Sequence, residues 1–175
     1  SRIVQLQIDL GRVQSEIDTA ERGLQQAVQV VERAAVLAAN GATGTATEQQ
    51  RKILAEEVRS LMEQMVSISA LAIGGRYVFS GDKDNVPPFT IDWNQPDPIS
   101  AYQGGPATRE ALHPTGPSFP IARSGEEIFD NADPDKNVFD ALNELRLALE
   151  NNDPEAIQEA IPRLQRAGEH LNTQL

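Results

Sequence analysis

Asp133, Asp135, Asn137 and Glu144 fall at the first, third, fifth and twelfth positions of a calcium-binding loop, a spacing that gathers oxygen ligands around one cation. The sixth position of that loop needs glycine for its sharp turn, and here it is Val138. The stretch also turns helical too early, at Phe139-Asp140-Ala141-Leu142. The spacing is therefore read as helix capping by Asp133 to Asn137. Asp82, Asp84 and Asn85 make a second acidic turn, read as a solvated loop. His113 precedes Pro114 in a loop and has no nearby Ser–Asp or Cys partner in sequence. His170 lies one residue from the apolar seam of the last helix and is read as a surface or inter-helix residue. The remaining carboxylates have no spacing that selects an acid/base pair. No catalytic, cofactor-binding or metal-binding residue is assigned, and the chain is not expected to be an enzyme.

Composition narrows the field further. There is no cysteine among the 175 residues, so no disulfide framework and no thiolate metal site. Acidic residues outnumber basic ones 26 to 15, a net charge of −11. Such a surface repels phosphate backbones, so no nucleic-acid partner is expected. No run of about 18 apolar residues exists to span a membrane, and no signal peptide is visible. Ser1 and Leu175 both fall in mid-pattern, from which the chain is expected to be a piece whose terminal segments lie outside it.

Elements follow from periodicity. Ile3, Leu6, Leu10, Val13, Ile17, Ala20, Leu24, Ala27, Val31, Ala34 and Ala38 alternate spacings of three and four, a heptad seam along one helix that stops at Asn40-Gly41. Thr45 and Glu48 have capping-box spacing for a second helix. Its seam reads Leu54, Val58, Leu61, Met65, Ile68, Ala72 and Gly75, widened by Ile53, Met62, Val66 and Ile73. Val138, Leu142, Leu145 and Leu149 mark a third helix, broken at Asn151-Asn152. Asp153-Pro154 starts a fourth, with Ile157, Ile161, Leu164, Leu171 and Leu175 as its stripe and Gly168 at one seam position. Pro162 inside it predicts a kink or a break.

Residues 76–136 are different in kind, holding nine of the eleven prolines and seven of the eight aromatics. Tyr77-Val78-Phe79, Phe89 to Trp93, Ile99 to Gln103 and Phe119 to Arg123 are short strand candidates. Tyr77, Phe79, Phe89, Trp93, Tyr102, Phe119 and Phe129 are the expected core of this region, with a carbohydrate or partner patch as the alternative. A helix over residues 3–39 is roughly 55 Å long at 1.5 Å per residue. A compact domain of this size has a radius of gyration of only about 16 Å. The expected fold is mainly α: an elongated rod of long antiparallel helices, coiled-coil-like, from residues 1–75 and 137–175. A small β-rich, proline-rich head, 76–136, is inserted between the second and third helices.

Gly75-Arg76-Tyr77-Val78-Phe79-Ser80-Gly81, followed by Pro87-Pro88-Phe89, resembles the segment that leaves the second long helix in the hook–filament junction proteins of the bacterial flagellum, hook-associated members of the flagellin family. Leu37 to Gly41, Ala101-Tyr102-Gln103-Gly104, Gly125 to Phe129 and Phe139-Asp140-Ala141-Leu142 resemble further parts of that family in order. The resemblance implies a structural adaptor joining hook to filament by subunit packing. It also implies export through the flagellar secretion apparatus to an extracellular location, without a membrane span. The implied partners are copies of itself in a ring, hook protein, neighbouring filament-side proteins and an export chaperone bound through terminal segments outside this sequence. This chain by itself is expected to be monomeric. Flagellin, the filament subunit, is the near alternative, and a free-standing coiled-coil binding module with an aromatic head is the distant one. Flagellins also meet an innate-immune receptor through a charged patch on the first helix. Arg33 matches a basic position of that patch, while Ala35 and Val36 stand where a further arginine and glutamate belong, so the resemblance does not extend to receptor binding.

Overall fold

Five helices and two short hairpins account for the regular structure of the computed structural model, which describes residues 1–108, 110–112, 118–120 and 122–175. His113 and Pro114 lie outside the described residues, as does the side chain of Phe119. Helix α1 spans Arg2–Ala42 and α2 Glu48–Ser69. Strands β1 (Ala72–Ile73) and β2 (Arg76–Tyr77) pair antiparallel, as do β3 (Glu110–Leu112) and β4 (Ser118–Pro120). A short helix α3 (Gly125–Phe129), a 3-10 turn (Pro134–Lys136), α4 (Val138–Glu150) and α5 (Pro154–Gln174) complete the chain. The fold is mainly α, as expected.

The chain divides into two compact units, one of residues 1–23 and 69–125 and the other of 24–68 and 126–175, with α1 contributing to both. In the first unit Val13 and Ala20 of α1 are buried with Phe79, Phe89, Ile99 and Ala122. The α1 seam begins to bury at Val13; Ile3 is exposed and Leu10 only half-buried, so the periodic pattern extends beyond the packed stretch. Gly74 and Gly75 both take positive φ, 58° and 77°, and join β1 to β2 as a two-residue turn. Two consecutive residues in that region make the turn whose twist suits a tight hairpin, and glycine adopts it without strain. That hairpin ends the second helix early. Ala72 and Gly75, expected on its seam, lie beyond Ser69, in β1 and in the turn.

In the second unit the largest fully buried side chains include Leu24, Leu37, Met62, Met65, Ile128, Phe129, Leu142, Leu145, Leu149 and Ile157. Ile53, expected to widen the apolar face of α2, is instead 54% exposed. Helix starts are set by side-chain caps. Thr47 and Gln50 form the reciprocal box, with Gln50 N donating to Thr47 Oγ1 (3.1 Å) and Thr47 N to Gln50 Oε1 (2.9 Å). The box was expected two residues earlier, at Thr45 and Glu48. Asn137 caps α4 by accepting from Asp140 N, and Asp153 caps α5 by accepting from Ala156 N, with Pro154 in the first turn. Pro162 does not break α5, which continues from Pro154 to Gln174. Pro162 lies on the exposed side of the helix.

Candidate interaction surfaces

In the segment Arg76 to Gly81 each residue holds a neighbour in the first unit. Arg76 ion-pairs with Glu16 of α1, a buried carboxylate, and lies 3.9 Å from Asp84. Tyr77 N donates to the Asp84 carbonyl (2.8 Å) and Val78 N to that of Leu71 (3.0 Å). Phe79 is fully buried and passes α1 at Gly23, where an added Cβ would sit 3.3 Å from its ring and 2.8 Å from Leu71 Cδ1. Ser80 is buried, with its hydroxyl on the Val86 carbonyl (2.6 Å). Gly81 has φ 59° and lies against the carbonyls of Gly105 and Pro106.

The return strand closes this knot. Gly81 N donates to the Arg123 carbonyl (2.9 Å) and Gly125 N to that of Phe79 (2.7 Å), around an antiparallel bridge between Ser80 and Ser124. Tyr102 stacks at an angle on Phe89, centroids 5.5 Å apart, and its hydroxyl donates to the Gly105 carbonyl. Burial pushes the Arg123 guanidinium below its usual range, with Glu21 acting against the shift. Of the aromatics expected in the head core, Phe79 and Phe89 are buried there and Tyr77, Trp93 and Tyr102 are half-buried. Phe129 instead belongs to the second unit, stacked on Phe139 at 5.8 Å.

The candidate ion ligands of the second unit have other work. Asp133 caps the 3-10 turn by accepting from Asp135 N, Asn137 caps α4, Asp135 ion-pairs with Arg166 (2.9 Å) and Glu144 with Arg163 (2.6 Å). Partial burial, reinforced by Asp140 and opposed by Arg163, holds Glu144 above the usual carboxylate range. Among the described residues no three His, Cys, Asp or Glu side chains are placed to share a metal ion. Of the acidic turn at 82–85, Asp82 receives the Thr108 amide and hydroxyl, and Asp84 faces Arg76. His170 is buried, and its Nε2 donates to the Glu127 carbonyl (2.9 Å), tying α5 to α3.

A group that sequence reading missed is Arg51, which is 6% exposed near the start of α2. Its Nε donates to the Gly41 carbonyl (2.9 Å), one terminal nitrogen to Thr43 O (3.2 Å) and the other to Asn152 Oδ1 (2.8 Å). Asn152, at φ 51°, sits in the turn between α4 and α5. Glu150 similarly joins Arg59 of α2 (2.8 Å) to Arg146 of α4 (2.9 Å). The only local hint is an arginine in the first turn of a helix, where a cation is out of place against the helix dipole.

On the outer side of this unit an open groove runs between α1 and α2, lined by Gln29, Val30 and Arg33 on one side and Ser60, Leu61 and Gln64 on the other. A second groove lies between α3, the 3-10 turn and α5, and carboxylates such as Glu127, Asp130 and Glu169 line it together with Lys136, Arg166 and His170. Neither brings together a nucleophile, a base and an electrophilic donor.

No protein-family model matches the chain. Its sequence is 26% identical over 146 residues to flagellar hook-associated protein 3 of Escherichia coli (strain K12), covering 77% of this chain and 44% of that protein. The chain thus spans less than half the length of that relative. Its fold is similar to that of FlgL from Bacillus cereus, with a TM-score of 0.80 at 23% identity, covering 97% of this chain and 78% of the other. It is similar also to FlgL from Xanthomonas campestris, TM-score 0.82 at 16% identity over 98% of this chain and 89% of the other. A flagellar hook-associated protein structure from Vibrio parahaemolyticus, described as putative, gives 0.82 at 17% identity, over 98% and 76%. The resemblance to the hook–filament junction proteins therefore holds in sequence and in fold.

Proposed function

We propose that this chain is part of a structural subunit of the bacterial flagellum, an adaptor that joins hook to filament by packing and catalyses nothing. The observation that carries the reading is the likeness, in one chain, of sequence to hook-associated protein 3 over 146 residues and of fold to FlgL over nearly the whole length. In this reading residues 1–75 and 137–175 form an elongated rod of antiparallel helices and 76–136 its head. Support comes from α1, whose 41 residues are about 60 Å long at 1.5 Å per residue. Contacts within the second unit add to it, since Arg33 pairs with Glu57 and Arg51 with Gly41, as two helices running in opposite directions require. The partners are further copies in a ring, hook protein on one side and filament proteins on the other, at an extracellular location.

Immunogold electron microscopy of flagellated cells with antibody to this chain tests the role. Label at the hook–filament boundary is the expected result. Label along the whole filament makes the chain a flagellin, and unlabelled flagella reject the assignment in favour of an independent binding module. Small-angle scattering tests the rod: a radius of gyration near the ~16 Å of a compact domain of this size rejects it.

A further inference from the structure

Charge is unevenly divided along this acidic chain. Residues 126–175 carry twelve carboxylates and four cationic side chains, a net of −8. Residues 24–68, the α1 and α2 portion of the same unit, carry five and four, a net of −1. Two copies of a chain of net charge −11 repel wherever the first kind of surface faces its like. A second copy meets less opposition over α1 and α2 than over residues 126–175 of the same unit.

The groove there has further features that suit a surface like itself. Its polar walls are mostly uncharged amides and hydroxyls, Gln29, Ser60 and Gln64, each both donor and acceptor, so the same groups on a second copy satisfy them without a charge partner. Its one cation, Arg33, pairs with Glu57 at 3.1 Å, and Glu63 is the one further charged group of the lining. Apolar surface adjoins it. Val36 is one turn beyond Arg33 on α1 and Ile53 one turn before Glu57 on α2, and they are 49% and 54% exposed. Helix spacing puts Val36 near Arg33 and Ile53 near Glu57, outside the groove itself, and Ile53 lines a neighbouring recess with Lys52, Glu56 and Glu150.

We infer that the α1/α2 groove is the seat of a second copy of this chain. The inference rests on the adaptor reading above and adds to it the face by which copies meet. The test is a series of 1H–15N NMR spectra of the 175-residue chain from micromolar to millimolar concentration, at low and at high salt. Concentration-dependent shifts should include Gln26 to Arg33 and Glu57 to Ser67, and they should grow with salt, which screens the net repulsion. The double variant Gln29→Glu/Ser60→Glu, at two exposed positions, should keep the parent melting curve and lose those shifts. Shifts confined to α4 and α5, shifts that persist in the double variant, or none at millimolar concentration overturn the inference. None of these outcomes touches the adaptor assignment, which stands or falls on the position of the gold label.

Discussion

Replacing Arg51 by methionine keeps most of the aliphatic stem and removes three hydrogen bonds from a guanidinium that is 6% exposed. The Gly41 carbonyl and the Asn152 amide oxygen then lose this donor, while the Thr43 carbonyl keeps the Ala46 amide at 3.2 Å. Each charge-assisted bond contributes about 1.5–3 kcal/mol, and a buried acceptor left unpaired costs about 1–3 kcal/mol. These figures do not add in full, because methionine also escapes the cost of burying a charge. A net loss of about 3 kcal/mol is expected, which for a chain of this length lowers Tm by about 6–12 °C. Arg51→Lys keeps the charge without the planar fork and should fall between the two. Thermal unfolding followed by circular dichroism reads the loss. Amide exchange of the 43–47 turn and of Asn152 shows whether it starts where the bonds were. A methionine variant within about 0.5 kcal/mol of the parent, the scatter of ordinary surface substitutions, refutes this account of Arg51.

Gly81→Ala places a Cβ 2.6 Å from the Pro106 carbonyl oxygen at a φ of 59°, so residues 69–125 should lose their ordered packing, read as a shift in Trp93 fluorescence toward that of the unfolded chain. Asn137→Ala removes the cap of α4 and should cost about 1 kcal/mol in denaturant melts, whereas Asp133→Ala, capping only a 3-10 turn, should cost less. Glu144 takes up its proton at higher pH in the folded chain than in the unfolded one. Its contribution to stability is therefore greatest at low pH and declines as pH rises from the unfolded value through the folded one. Carboxyl 13C titration should place its midpoint above that of a free glutamate, and Arg163→Gln, which removes the opposing cation, should raise it further.

Helix positions were legible wherever one apolar stripe met one packing surface. The α1 seam from Val13 to Ala38, apart from the half-buried Ile17, and the α4 stripe from Val138 to Leu149 bury as their spacing says. Boundaries were less so. Thr-Ala-Thr-Glu-Gln-Gln contains two overlapping capping boxes, and both obey the local rule, so sequence cannot choose between Thr45 with Glu48 and Thr47 with Gln50. Ala72 and Gly75 continue the heptad in sequence, but a pair of glycines at positive φ diverts the chain into a hairpin first. Residues 76–136 have no period to read, and their order comes from single contacts such as Ser80 on Val86 and Tyr102 on Gly105. The α1/α2 groove was invisible for another reason: a row of glutamines and serines reads as ordinary solvated helix until the structure sets two such rows side by side.

The clasp at Arg51 also bears on the order in which this unit can fold. Arg51 and Asn152 are 101 residues apart in sequence, and Arg59 and Glu150 are 91 apart. The α1–α2 and α4–α5 pairs are each joined by a short turn, so little chain entropy is lost in closing them. Two helical hairpins can therefore form early and independently, and their union waits on contacts that close loops of nearly a hundred residues. Side chains that join only in this last step add little to the rate of folding and much to the barrier against unfolding. A clasp of this kind acts as a latch, setting how long the native unit lasts more than how quickly it forms.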